Sequence, residues 1–331
     1  MANSRLRVET KAITEGAVMA SLTAVLALAG IFIPVINPIV MLIWTLPVVV
    51  ICIRHGMKAG VATIAVAGIL ILIIATPVNA FNMLLCSVGP ALFIGGGFHY
   101  KWSTEKTILY TAAAAAMGLA ADLLISSWVM GVSVMRMFTF DPELFEEVAG
   151  MIRDSGLMSS MFDSQEELLE SVREMFDTMH LMIPAALAIY GLFTALTNYA
   201  VARIVLRRLK EQVPPLTKLS TFRLPMPFLL GFITGFGILI LCGTYFTDNI
   251  LLMAAGQNIT GVFMVLYAFQ GFGLAFYYIG KFAPQMQSTF RFILIFGILL
   301  TGFNSLMFIS YAGVIDAFFD FRKLDIGSLR M

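Results

Sequence analysis

The sequence predicts an all-α fold: a polytopic α-helical membrane protein of about eight or nine transmembrane helices, with an external amphipathic helical hairpin between two of them. Three observations carry this. Of 331 residues 59% are hydrophobic and only 12% charged, with a mean hydropathy of +0.90, well outside the composition of a water-soluble domain. Separate apolar runs of about 18 residues or more recur along the chain, each long enough to cross a hydrocarbon core of about 30 Å as a helix. Nearly all charged residues fall between these runs, many of the acids in one dense segment.

The first apolar run starts near Ala17, behind Arg5, Arg7 and Lys11. A charged start and small residues at Ala27 to Ala29 imitate a signal peptide, but the run is too long and further spans follow, so it reads as an uncleaved first span. The remaining candidates are about 38–53, 59–76, 80–97, 108–134, 181–203, 226–246, 259–280 and 292–315. Gly95-Gly96-Gly97 closes the fourth span and joins no strand to a helix, so it is expected to end or loosen that helix and not to bind a dinucleotide.

Placing the N-terminus in the cytoplasm gathers 15 of the 21 Lys and Arg on that side, including Arg54, Lys58, Lys101, Lys106, the cluster from Arg203 to Arg223, Lys281 and Arg291, as the positive-inside bias requires. Nine spans then put Arg322, Lys323 and Arg330 outside; eight bring them in. Pro214-Pro215, in the basic connection after the sixth span, reads as a stiff joint. Three domains are expected: residues 1–137 with 181–212 as a six-span bundle, 138–180 as an acidic extracytoplasmic hairpin, and 213–331 as a C-terminal bundle of about three spans.

Residues 141–177 hold eleven acids against Arg153 and Arg173. Asp141-Pro142 starts one amphipathic helix, and Ser164 with Glu167 forms a capping box for a second. Their acidic faces would be repelled by anionic headgroups. The pair reads either as a lid over an outward-facing cavity or as a solvated hairpin linking two spans; no calcium-loop spacing is present.

Chemistry-bearing motifs are few. There is no H-E-x-x-H, G-x-S-x-G or Walker loop, so no enzyme activity, cofactor or metal site is expected. A net charge of +1 offers no field for nucleic acid. Cys52, Cys86 and Cys242 lie singly in apolar runs and read as packing residues, while His55 and His99, beside Lys58 and Lys101, read as solvated interfacial histidines. Asp122 stands out. A carboxylate in the middle of an Ala- and Gly-rich span costs several kcal/mol unless it is paired, protonated or wetted, and the small residues from Ala112 to Ala121 turn it towards the bundle interior. It marks either a substrate contact or a structural hydrogen bond. Asn79, Asn82, Asn198, Asn258, Gln270 and Asn304 either join helices or line a cavity, and Asn37, between Pro34 and Pro38, sits in a connection that is either a gate or a rigid turn. The candidate substrate-binding set is Asp122, Asn37, Asn79 and Asn82. Gly231-x-x-x-Gly235 and Ala20-x-x-x-Ala24 are patches for close helix contact.

The stretch from Ala17 through IPVINP to LPVVVICIRHGMKAGVATIAVAGILILI resembles the opening of the substrate-binding S components of energy-coupling-factor vitamin transporters. Gly56, Lys58 and Gly60 match that family's short turn between the second and third spans, and Ala20 and Ala24 match its patch for docking a transmembrane coupling subunit. The resemblance implies a six-span bundle over residues 14–205, a small-molecule ligand, and a coupling subunit with an ATPase as partners. The chain continues past six spans, and as a whole, including its closing Asp316-Ala-Phe-Phe-Asp320-Phe321-Arg322-Lys323, it resembles the YybS-like bacterial integral membrane proteins, a domain-of-unknown-function family. That resemblance implies a bacterial cytoplasmic membrane and assigns no activity. The function expected is binding or transport of a small molecule across the bilayer; the alternative is a non-transporting scaffold in which the basic connection and the Asp316 to Lys323 tail dock protein partners.

Overall fold

The computed structural model describes residues 2–134, 137, 150–151, 167, 169–170, 173, 179–246, 249–301 and 303–323. The acidic hairpin expected over 138–180 lies almost wholly outside these. Every element among the described residues is a helix. Among the described residues, seven helices are long and apolar enough to cross a bilayer, and shorter apolar helices accompany them, so the chain is a polytopic helical membrane protein. It divides into two compact units, Met1–Pro215 and Leu216–Met331, with Pro214-Pro215 at the division.

The first unit begins with α1 (Ala2–Phe32), followed by α2 (Asn37–Ile43) and α3 (Leu46–His55). The sequence reads residues 38–53 as one span, but the structure breaks it at Trp44 and Thr45. Pro47 is the cause: its ring has no N–H to give to the carbonyl four residues earlier and is tolerated only in a first helical turn. Gly56, with φ +85°, then turns the chain into α4 (Met57–Ile74). A side chain would strain this left-handed backbone. Next come α5 (Pro77–His99), capped by the Thr76 hydroxyl, and α6 (Thr104–Met130), capped by Ser103 and ended by Gly131 at φ +66°. The last helix of the unit is α7 (Ile183–Arg208).

Gly95-Gly96-Gly97 does not end α5, which runs on to His99. A Cβ at Gly95 would meet Cys52 of α3, one at Gly96 would meet Met57 of α4, and one at Gly97 would meet Thr107 of α6. The triplet lets three helices close on α5 at one level. Ala20 and Ala24 are 0% and 3% exposed, in a cluster with Val40, Trp44, Ala67 and Ile71. The small-residue face of α1 is therefore filled by α2 and α4 of the same chain and is not an outward docking patch. His55 is not solvated either: its side chain is 14% exposed and its Nε2 lies 2.9 Å from Glu15 Oε2. His99 remains exposed, with Nδ1 2.8 Å from the Ile53 carbonyl.

The second unit holds α8 (Met226–Tyr245), α9 (Ile250–Phe282), α10 (Gln287–Thr301) and α11 (Phe303–Phe319). The expected final span over 292–315 falls on α10 and α11, with residue 302 between them outside the described residues. α8 and α9 pack closely: Gly231 abuts Phe263, and Gly235 abuts Ile259 and Thr260, which supplies the partner for the Gly-x-x-x-Gly patch. α9 and α11 meet where Gly271 faces the Ile309 carbonyl and Gly313 faces that of Tyr267.

The tail and the connection, read from sequence as partner-docking elements, are bound to each other. Asp316 and Arg322 are 1% and 3% exposed. Arg322 donates to Asp316 Oδ2 at 2.7 Å, to the Ser220 carbonyl at 3.0 Å and to the Phe222 carbonyl at 2.9 Å. Gln270, fully buried on α9, donates to the same carboxylate oxygen at 3.0 Å and accepts from the Leu224 backbone N–H at 3.0 Å. Four segments thus share one buried network, the only arrangement in which burying these charges is tolerable.

Candidate functional site

α5, α6 and α7 approach one another through small residues. Gly118 of α6 lies against the Leu85 carbonyl, Gly89 of α5 against Ala114, and Gly191 of α7 against the Ala112 carbonyl and Ala116. The run from Ala112 to Gly118 is therefore the seam of this three-helix contact, and Asp122 projects from the same helix one turn beyond it.

Beside that seam lies a cavity of ≈ 410 Å³. α5 contributes Asn82, Cys86, Ser87 and Pro90; α6 contributes Leu119 and Asp122. α7 contributes Tyr190, Thr194, Thr197 and Asn198, and the end of α2 contributes Met41 and Leu42. Asp122 stands eight residues from the end of α6, about 12 Å along the axis, so the cavity lies along a helix long and apolar enough to span a bilayer and not at that helix's end.

Asp122 is 8% exposed, and its Oδ2 accepts a hydrogen bond from Asn82 Nδ2 at 2.8 Å. Among the described residues, Oδ1 takes no hydrogen bond. Tyr190, Thr194 and Cys86 share the lining, and Asn198 Nδ2 donates to the Thr194 carbonyl at 2.9 Å. Among the described residues, no Lys, Arg or His lines the cavity. The lining thus mixes polar groups, a lone carboxylate among them, with the apolar Met41, Leu42, Pro90 and Leu119, the mixture typical of a small-molecule pocket.

Of the residues singled out from sequence, the structure brings Asp122 and Asn82 together, with Asn198 on the same cavity. Asn79 and Asn37 are elsewhere. Asn79 is exposed in the first turn of α5, its backbone N–H directed at the Thr76 hydroxyl, and Asn37 begins α2, its backbone N–H bonded to the Pro34 carbonyl. Asn258 donates within its own helix to the Ala254 carbonyl, and Gln270 belongs to the tail network. Sequence reading missed Cys86, Ser87, Tyr190, Thr194 and Thr197. The signal was available on α7, where Tyr190, Thr194, Thr197 and Asn198 recur at helical spacing as a polar stripe in an apolar span.

The comparisons with known proteins concern the chain as a whole. It is 24% identical over 279 residues, 82% of this chain and 86% of the other, to a protein of Bacillus subtilis (strain 168) named "Uncharacterized protein YybS". No solved structure matches it. The model of the family described as "Predicted membrane protein (DUF2232)" matches residues 21–317, nearly the whole length from α1 to α11, and the chain belongs to that family.

Proposed function

We propose that the chain is a multi-pass protein of the bacterial cytoplasmic membrane, N-terminus inside, whose first unit binds a small molecule in the Asp122 cavity and moves it across the bilayer in the manner of an S component. One observation carries the reading: a carboxylate buried on a bilayer-length apolar helix, with a single hydrogen bond among the described residues, on the wall of a cavity of ≈ 410 Å³. The other buried carboxylate, Asp316, is neutralised by Arg322 at 2.7 Å, whereas among the described residues no cation lines the space beside Asp122. The protein acts as a binding and transport protein and not as an enzyme. It carries no nucleotide-binding motif, so active transport draws on a partner ATPase or an ion gradient. A coupling subunit would dock on a face other than that of Ala20 and Ala24, which α1 uses internally.

The rival scaffold reading relies on the basic connection and the C-terminal tail, yet Ser220, Phe222 and Leu224 of the connection and Arg322 of the tail are engaged with one another and with Gln270. The test is native mass spectrometry of the full chain released from membranes in mild detergent. A stoichiometric small molecule that is lost in Asp122→Asn, with the fold retained, supports the reading. A chain that emerges with an empty cavity and a non-ATPase protein partner overturns it.

A further inference from the structure

The chemistry of the cavity restricts the charge of its ligand. Among the described residues, Asp122 is the one carboxylate on the wall, and no cationic side chain faces it there. Asn82 occupies Oδ2, while Oδ1 has no hydrogen-bond donor among the described residues. The nearest basic residue along α7 is Arg203, five positions past Asn198 and outside the lining. An anionic solute would meet a like charge in a medium of low dielectric, where repulsion is several-fold stronger than in water. A neutral solute would leave the carboxylate without a counter-charge. A metal ion or sodium would need several oxygens converging on one point, whereas this space is far larger than an ion and Met41, Leu42, Pro90 and Leu119 line it with hydrocarbon.

We propose that the ligand is a small organic cation, an ammonium-bearing compound whose charged head sits on Asp122 Oδ1 and whose apolar body lies against Met41, Leu42, Pro90 and Leu119. This rests on the proposed function and narrows it to a substrate class. The Tyr190 and Thr194 hydroxyls supply acceptors for further N–H groups of the head.

The experiment uses the full chain in lipid nanodiscs and three probes of matched size: 2-phenylethylammonium, 2-phenylethanol and 3-phenylpropionate, with affinity read by calorimetry. The ammonium compound is expected to bind most tightly and the carboxylate least. Asp122→Asn should weaken the ammonium compound by at least about thirtyfold, as expected for removing one partner of a buried charge pair, and Asp122→Glu should retain the cation preference. The wild-type series needs no variant to fold. Equal affinity for all three, or a preference for the carboxylate or the alcohol, overturns the inference and leaves the proposed function standing. If no probe binds, the solute that co-purifies decides: a compound with a cationic group supports the inference, and one without it overturns it. A wild-type chain that binds no probe and carries no solute overturns both.

Discussion

Arg322 Nη2 lies 2.7 Å from Asp316 Oδ2, with both side chains 1% exposed, and the same guanidinium reaches two carbonyls of a connection about one hundred residues earlier in the chain. The backbone makes this contact by turning at Asp320, which has φ +49°, a left-handed conformation that Asp tolerates better than most residues. Arg223 adds a second tie to Asp320 at 2.8 Å. Removing one member of the inner pair strands a charge in the interior, which costs about 3–5 kcal/mol. Arg322→Ala should therefore lower the thermal midpoint of the purified protein sharply. The double variant Asp316→Leu/Arg322→Met should recover much of the loss, because an apolar pair leaves no charge unpaired. A double variant as unstable as the single one would show that the backbone carbonyl contacts, and not the ion pair, dominate.

The same contact fixes topology. Arg322 is bonded to residues just before α8, so the end of α11 and the start of α8 lie on one side of the membrane, and the second unit crosses it an even number of times or re-enters. With the basic connection cytoplasmic, as proposed, Lys323 is expected on the cytoplasmic side as well. Topology reporters inserted between Glu211 and Val213 and fused after Lys323 should report the same side. Opposite sides would be incompatible with the Arg322 contacts.

The helical class and most spans are legible in the sequence because bilayer thickness imposes a length and a hydropathy that few other folds share. Asp122 is legible for the same reason: a lone carboxylate in the Ala112 to Ala121 context has few interpretations. The break at Trp44 and Thr45 is also written in the sequence, by Pro47, but hydropathy averages over it. What the sequence hides is which partners small and charged residues find. Gly95-Gly96-Gly97 suggests a loose helix end, yet its glycines are needed by three neighbouring helices, and nothing local says so. Arg322 and Asp316 read from sequence as part of a partner-docking tail, since their burial depends on carbonyls and on Gln270 from distant segments. Asn37 and Asn79 have the composition of cavity residues but lie at helix starts, where backbone N–H groups lack partners in the helix.

Two glycines of the second unit should respond to the same substitution in opposite senses. A Cβ at Gly271 would collide with the Ile309 carbonyl, a backbone atom that cannot rotate away, whereas one at Gly237 of α8 meets nothing within 4 Å. Gly271→Ala should force α9 and α11 apart and cost about 1–3 kcal/mol. Gly237→Ala should be neutral or stabilising by up to about 1 kcal/mol, the helix-propensity difference. Thermal melts of the two variants in one detergent make the comparison, and equal midpoints would count against the close crossing at Gly271.

Thiol labelling can read access to the cavity without knowledge of its ligand. Cys52 and Cys242 are 0% and 3% exposed and are packed among helices. Cys86 is half-buried on the cavity wall, on the same face of α5 as Asn82. A small membrane-permeant alkylating reagent should therefore modify Cys86 well before the other two in the folded protein, and peptide mass spectrometry would locate the adduct. An added compound that occupies the cavity should slow labelling of Cys86 alone. In the Asp122→Asn variant, labelling should persist while protection by a cationic compound is lost, since access depends on the space and protection on the charge. Equal labelling of all three thiols would mean that the reagent reaches a loosened fold and not the cavity beside Asp122.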